Sequence, residues 1–170
     1  MYRNNNSNDN YPNFSGVLST RPHAIAFIDG SPQYSTINGI VKFYQTTHGV
    51  VVVAEIKGLP KPKENCNSPI FAFHIHEGES CTGNESDPFA NVRIHYNPYQ
   101  CPHPYHAGDL PPLFGANGYA FSSFLTDRFR LNNIIGKTVI IHSSLDDFMS
   151  QPSGNAGMKI ACGQILPTHR

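Results

Sequence analysis

The sequence has neither an excess of charge nor a long apolar run. Its 170 residues include 12 basic and 12 acidic side chains, so electrostatics give no basis for binding nucleic acid or an anionic membrane surface. No apolar run approaches the length of a transmembrane helix, and no membrane partner is predicted. The first 13 residues contain no apolar segment of the kind that a secretory signal needs. The sequence as given therefore predicts a cytoplasmic location, or an extracytoplasmic one if a signal was removed.

Helical periodicity is also lacking, and cysteine is too sparse for a dense disulfide framework. The four cysteines allow three pairings, and the sequence alone does not choose between them. Short apolar runs alternate with glycine, proline, asparagine and aspartate, a composition that predicts short strands joined by turns and long loops. We predict a disordered polar leader at residues 1–15 and a single domain at residues 16–170.

Seven segments are predicted to be β-strands, because they alternate apolar with polar residues or form short apolar runs bounded by turn residues. The segments are 24–28, 37–45, 50–56, 70–76, 118–126, 138–142 and 158–165. Segment 128–135 is ambiguous between a loop and a short helical turn, and we expect eight strands or close to that number. Residues 77–113 and 146–157 are predicted to be two long loops, with no strand or helix inside 77–113.

The segment 70–76 carries two histidines on one face. Phe71, Phe73 and Ile75 alternate with His74 and His76, so both imidazoles project to the same side and can share one metal ion. Imidazole suits zinc, copper, iron and nickel. The chain adds further residues of metal-ligand type, namely His95, His103, His106, Asp109 and His142.

The long loop at 77–113 carries most of these residues. It has no periodicity with which to fold by itself, so we expect metal ions and a disulfide to order it. Three histidines and a carboxylate form a sensible tetrahedral set for zinc. The histidines on strands suit a redox metal such as copper.

Six segments resemble the copper,zinc superoxide dismutase family, in that family's order and with compatible spacing. They are 73–78 (FHIHEG), 95–98 (HYNP), 106–110 (HAGDL), 135–142 (IGKTVIIH), 146–147 (DD) and 154–163 (GNAGMKIACG). The resemblance covers roughly residues 24–166. It implies an all-β fold, an eight-stranded antiparallel Greek-key β-barrel or sandwich of immunoglobulin-like type, with two long functional loops. The short spacing from His103 to His106 is similar to the compact loop of some bacterial members.

The resemblance also implies a role for each candidate residue. Copper would be bound by His74, His76, His95 and His142, and zinc by His95, His103, His106 and Asp109. Asp146 would join a copper-ligand histidine to a zinc-ligand histidine, which fixes ring orientation. Cys81 and Cys162 would form the disulfide that ties the long loop to the last strand.

The implied reaction is the dismutation of superoxide to O₂ and hydrogen peroxide, with copper cycling between Cu(II) and Cu(I). Zinc has no redox chemistry and would hold the bridging His95 in place. His95 would also carry a proton, which makes it a catalytic residue. Superoxide, a small anion, is the partner that the resemblance implies, and monomer or homodimer is left undecided.

Two alternative functions are open for this sequence. The first is a non-catalytic copper- and zinc-binding or metal-transfer module on the same fold, for which the loss of a copper ligand would be the mark, and none is lost. The second is a zinc hydrolase, which needs an open metal position and a carboxylate base. Glu77 is the one obvious candidate for that base.

The remaining cysteines, Cys66 and Cys101, have three open interpretations. They are two free thiols, or they form a second disulfide that clamps the zinc loop onto the opening strand, or Cys101 competes as a metal ligand. A disulfide closing a loop of this size would contribute about 3 to 4 kcal/mol to stability.

Lys159 occupies the position of an active-site arginine in the family. Lysine keeps the charge and loses the planar fork of donors, so it orients an anion less well. The loop 146–157 is also short and lacks the usual charged steering residues. We therefore expect a lower and less salt-sensitive rate than in a typical member, and a faster reaction in Lys159→Arg. The second-order rate constant for superoxide decay measures this, and an unchanged or lower constant would show that the lysine does not limit anion capture.

Overall fold

The alternation in the sequence corresponds to a sheet of antiparallel strands. The computed structural model describes residues 13–61 and 69–168. Within these ranges the strands are β1 (Ala24–Gly30), β2 (Asn38–Thr46), β3 (Gly49–Lys57), β4 (Ile70–His76), β5 (Asp109–Phe114), β6 (Tyr119–Thr126), β7 (Thr138–His142), β8 (Lys159–Gln164) and β9 (Leu166–Pro167). The two α-helices of the described ranges are α1 (Phe14–Leu18) and α2 (Leu131–Ile134), and single 3₁₀ turns occur at Pro32–Tyr34 and Ala90–Val92.

The strands follow the order β5-β4-β7-β8-β1-β2-β3-β6, and β9 pairs with β1. The paired strands are antiparallel throughout. The first and last strands of this order, β5 and β6, also lie against each other, so eight strands form a nearly closed barrel. The chain crosses from β3 to the distant β4, and again from β6 to β7, which is a Greek-key arrangement. The predicted fold class is confirmed.

The core fills the inside of this barrel with alternate residues of the strands. Its largest fully buried side chains include Phe43, Phe71 and Phe73. Burial of each such side chain stabilises the fold by about 1.5–3 kcal/mol. Strand β4 differs from an ordinary barrel strand because nearly all of its residues are buried. Its outer face, which carries His74 and His76, lies under the two long loops.

Most predicted strands agree with the structure to within one or two residues, but the prediction for residues 77–113 was wrong at its end. Residues Asp109–Phe114 form β5, which pairs with β4. Pro111 and Pro112 lack the N–H donors of a strand interior and favoured a loop in the sequence. Proline is tolerated on an edge strand, and β5 lies at the end of the hydrogen-bonded order.

The ambiguous segment 128–135 contains the single helical turn α2. The predicted leader lies outside the described residues at positions 1–12, whereas Asn13 caps the short helix α1 by accepting a hydrogen bond from the Gly16 N–H. Among the described residues, no helix has the length and apolar character needed to cross a membrane.

A disulfide and backbone contacts fasten the two loops to the outer face of the barrel. Cys81 and Cys162 are bonded, as the resemblance implied, and join the first loop to β8 across 81 residues of sequence. The Ala72 N–H of β4 donates to the carbonyl of Ser144, two residues before the second loop begins, at 2.8 Å. Cys101 forms no disulfide with any residue that the structure describes, and Cys66 lies outside those residues, so the second disulfide stays a prediction.

Candidate metal centre

Pairing of β4 with β7 places three histidines on one face. His74 lies opposite Ile140, and paired residues point to the same side of a sheet. His76 and His142 lie two residues from His74 and from Ile140, so they share this face. It is the outer face of the barrel, where the loops exclude water.

The first loop and the start of β5 bring the other ligand-type side chains to the same place. An isolated backbone bridge joins His95 to His76, and Asp109 lies opposite His74 at the start of β5. The seven residues are each at most 6% exposed. They are His74, His76, His95, His103, His106, Asp109 and His142.

The seven residues form two groups that share one member. One nitrogen from each of His74, His76, His95 and His142 lies within 4.8 Å of the others. The second group, with the same spacing, consists of His95, His103, His106 and Asp109.

The first group converges through its ring nitrogens. His76 Nε2 lies 3.3 Å from His142 Nε2. His74 Nδ1 and His95 Nε2 are buried without a hydrogen-bond partner. A buried polar atom without a partner costs about 1–3 kcal/mol, and a cation bound by these nitrogens removes this cost. Four imidazoles are a suitable donor set for copper.

The second group surrounds the Asp109 carboxylate. His95 Nδ1 lies 2.8 Å from Asp109 Oδ1. His103 Nδ1 and His106 Nδ1 lie 3.0 and 3.2 Å from Asp109 Oδ2. His103 Nδ1 is nevertheless buried without a hydrogen-bond partner. Three imidazole nitrogens and one carboxylate that converge in this way match the tetrahedral donor set of zinc.

The ring nitrogens that point away from the two groups donate hydrogen bonds to oxygen atoms. Asp146 accepts from His74 Nε2 and from His103 Nε2, each at 2.8 Å, and so links the two groups. His76 Nδ1 donates to the Arg93 carbonyl at 2.8 Å. Such outer contacts fix the tautomer and the ring orientation of a metal ligand.

Gly154 allows the Asp146 link to form. Its φ is +67°, and an added Cβ would lie 2.0 Å from Asp146 Oδ1 and 2.6 Å from His103 Nε2. Any larger residue would therefore displace the carboxylate from the two rings.

Sequence comparison agrees with this geometry. The model of the copper/zinc superoxide dismutase family matches residues 37–165 of the chain. The chain belongs to this family. A copper-zinc superoxide dismutase of Aquifex aeolicus, named number 2, is 33% identical over 142 residues, which cover 75% of this chain and 78% of the relative.

Two further relatives have similar identity. The Onchocerca volvulus copper-zinc superoxide dismutase is 31% identical over 164 residues, covering 84% of this chain and 94% of the relative. The Legionella pneumophila enzyme is 33% identical over 136 residues, covering 75% and 76%.

Membership of this family makes the chain a copper- and zinc-dependent oxidoreductase that dismutates superoxide. None of the comparisons favours the metal-transfer alternative. The hydrolase alternative is also unsupported, since Glu77 accepts from Lys137 Nζ at 2.6 Å and from the Asn97 N–H at 3.4 Å. It does not line the cavity beside the histidines.

Two residues that hold the end of the first long loop were not predicted from the sequence. Arg128 Nη1 donates to the carbonyls of Pro104 and Asp109 at 3.0 Å each, and to that of His106 at 3.4 Å. The side-chain amide of Gln151 accepts from the His103 N–H at 3.0 Å and donates to the His103 carbonyl at 2.7 Å. These contacts join residues 19 to 48 positions apart through main-chain atoms, which leave no sequence pattern.

Lys159 lies beside the first group, opposite His142 in the β7–β8 ladder. It lines a cavity of about 330 Å³ that His76, His95 and His142 also line. Its ammonium lies 2.5 Å from Asp87 Oδ2 and 3.1 Å from the Phe89 carbonyl. The sequence did not predict Asp87 as the partner of Lys159. An arginine at position 159 would lie beside the same Asp87 carboxylate, but it would present a planar set of donors to the cavity.

Burial keeps the histidines of the centre in their ligand form. Burial lowers the pKa of His142 to about 3 and that of His76 well below its usual value. Burial also lowers the pKa of His74 and of His106. Near neutral pH these imidazoles are therefore uncharged, which is the state that binds a metal ion.

The two carboxylates remain ionised despite their surroundings. Burial by itself would raise the pKa of Asp146, but hydrogen bonds from His74, the Phe148 N–H and His103 outweigh it and hold this pKa at about 2. Burial likewise opposes ionisation of Asp109, and the His95 hydrogen bond and the nearby rings lower its pKa below the usual value.

We predict that the metal-free protein loses stability as the pH falls from about 6.5 towards 3. In this range the unfolded chain takes up protons on histidines that stay neutral in the fold, as His142 does with its pKa of about 3. The thermal midpoint at a series of pH values measures the effect. His142→Ala should reduce the pH slope, whereas the matched change His23→Ala at an exposed site should not. A midpoint that stays constant from neutral pH to about pH 4 would contradict this account.

Proposed function

We propose that the first group binds the copper ion and the second binds the zinc ion, with His95 shared between them. His95 supports this assignment most directly. Its Nδ1 lies among the atoms of the second group, 2.8 Å from Asp109, whereas its buried Nε2 has no protein partner. One imidazole thus contributes to both groups, as a bridging ligand must.

When bound, copper supplies one-electron chemistry between Cu(II) and Cu(I), and zinc supplies charge without redox chemistry. The balanced reaction consumes two superoxide anions and two protons and yields one O₂ and one hydrogen peroxide. His95 Nε2 is suited to hold one of the protons, because Asp109 and its neighbours hold the ring from the Nδ1 side. The second proton comes from water.

Superoxide reaches the histidines through the cavity of about 330 Å³ described above. The cavity is much larger than a dioxygen anion, and cations on its wall raise the local concentration of such a substrate. Lys159 is one of these cations, although Asp87 balances its charge. This pairing supports a slower capture of superoxide than an unpaired cation would give.

We also propose that residues 16–170 form one catalytic domain. The described strands share a single barrel core, and β1 near one end of the chain pairs with β8 and β9 near the other. The balance of charge supports neither a nucleic-acid nor a membrane partner.

The proposal predicts fast decay of superoxide by the protein loaded with both metals. The decay should depend on copper, so the apo protein is the control. His142→Ala should lower the rate constant by more than about 100-fold, because loss of an outer partner alone costs 10–100-fold. Pulse radiolysis with measured metal content provides the test, and His48→Ala on the β2–β3 turn is the matched control. Absence of catalysis with both metals bound would indicate metal storage or transfer instead.

Arg128 should matter for zinc, because it holds three carbonyls of the loop that carries His106 and Asp109. Arg128→Gln is expected to weaken zinc binding by about 10–100-fold. Competition with a chromophoric chelator measures the affinity. Arg130→Gln is the control, since Arg130 is exposed and its side chain makes no hydrogen bond or ion pair among the described residues. Equal zinc affinity in the Arg128 and Arg130 variants would refute this role.

A further inference from the structure

Two cations, Lys159 and Arg93, line the cavity beside the first group of histidines. The Lys159 ammonium is engaged by the Asp87 carboxylate at 2.5 Å and by the Phe89 carbonyl at 3.1 Å. The pair carries no net charge, and two of the three ammonium donors have protein partners. Its field at the distance of an approaching anion is therefore weak.

Arg93 is in a different state. Its side chain is exposed and makes no ion pair or hydrogen bond with any residue in 13–61 or 69–168. It lines the same cavity as His76, His95 and His142. A full positive charge without a partner among the described residues thus lies at the entrance to the first group of histidines.

The backbone at Arg93 does not require this residue. Arg93 has φ 63° and ψ −146°, a conformation that belongs almost entirely to glycine. The backbone contacts made there use main-chain atoms alone. The carbonyl accepts a hydrogen bond from His76 Nδ1 at 2.8 Å, and the N–H donates to the Ala90 carbonyl at 3.3 Å. Glycine would make both contacts without strain, so these contacts do not account for an arginine side chain at this position.

We propose that Arg93, rather than Lys159, is the principal cation that attracts superoxide into the cavity. The inference rests on the proposed function. A guanidinium is permanently charged, and its planar set of donors suits a small anion with two oxygen atoms. Charge at the mouth of a cleft acts on the encounter rate, which falls as salt screens the charge.

The test compares rate constants for superoxide decay in the copper- and zinc-loaded enzyme, by pulse radiolysis at several ionic strengths. Arg93→Gln should lower the constant by about 3–10-fold at low salt and by less than about 2-fold at high salt. Arg93→Lys should retain most of the rate. Arg21→Gln changes the net charge equally and lines a cavity that shares no residue with this one, so it should leave the rate unchanged.

A second comparison separates Arg93 from Lys159. The double variant Lys159→Gln with Asp87→Asn replaces the ion pair by neutral groups and keeps the net charge. At low salt it should lower the rate constant by a smaller factor than Arg93→Gln does. A larger loss in this double variant than in Arg93→Gln would overturn the inference.

Azide binding provides a readout that needs no turnover. Azide is a small anion, and its titration against copper-loaded protein can be followed by visible absorption. Arg93→Gln should raise the azide Kd by about 3–10-fold at low salt. Equal Kd values, or a loss of rate that follows loss of copper or is not restored in Arg93→Lys, would overturn the role of Arg93.

These outcomes distinguish the two proposals. An enzyme with both metals bound and no dismutation refutes the proposed function, while azide titration still tests Arg93. An active enzyme whose Arg93→Gln variant matches it in rate at every ionic strength, and in azide affinity, refutes the inference and leaves the function intact.

Discussion

Two buried carboxylates determine how the imidazoles of the metal centre are oriented. Asp146 holds His74 and His103 through their Nε2 atoms, so the Nδ1 atoms of both rings face inward. Asp109 gathers the inward nitrogens of the second group. A histidine has two distinct ring nitrogens, and a hydrogen bond to one decides which tautomer the other presents. The arrangement of the other side chains on the outer face depends on which ring nitrogens bind carboxylates and which face the metal positions.

The loops that supply these groups have little regular structure, and polar contacts replace a hydrophobic core. The Cys81–Cys162 disulfide, the Arg128 contacts and the Gln151 contacts hold loop backbone directly. Such contacts satisfy carbonyl and N–H groups that a strand ladder would otherwise satisfy. The barrel beneath provides the rigid surface on which the loops are assembled. Because metal binding and the order of such loops are coupled, stability and cofactor content are two aspects of one property here.

Charge around the cavity is arranged more locally than the composition suggests. The chain is neutral overall, yet the cavity beside the first group of histidines is lined by a lysine paired with Asp87 and by an arginine that has no partner among the described residues. Asp87 and Arg93 come from the first loop, whereas Lys159 belongs to β8. The short second loop therefore does not determine the field by itself. Electrostatic guidance of a small anion depends on such positions and hardly at all on net charge.

The sequence by itself determined the barrel and the set of ligand-type residues. Alternation with period two marked the strands, the spacing of His74 and His76 placed them on one face, and the order of six segments indicated the family. The sequence did not determine β5, because Pro111 and Pro112 suppress the strand signal and only a position on the sheet edge makes them acceptable. Nor did it determine that Asp87 pairs with Lys159, or that Arg128 and Gln151 bind the main chain of the first loop. The position of Arg93 at the cavity was not determined either. Those contacts depend on the path of two irregular loops over the barrel. Such loops have no periodic pattern in the sequence, so only tertiary contacts decide their path.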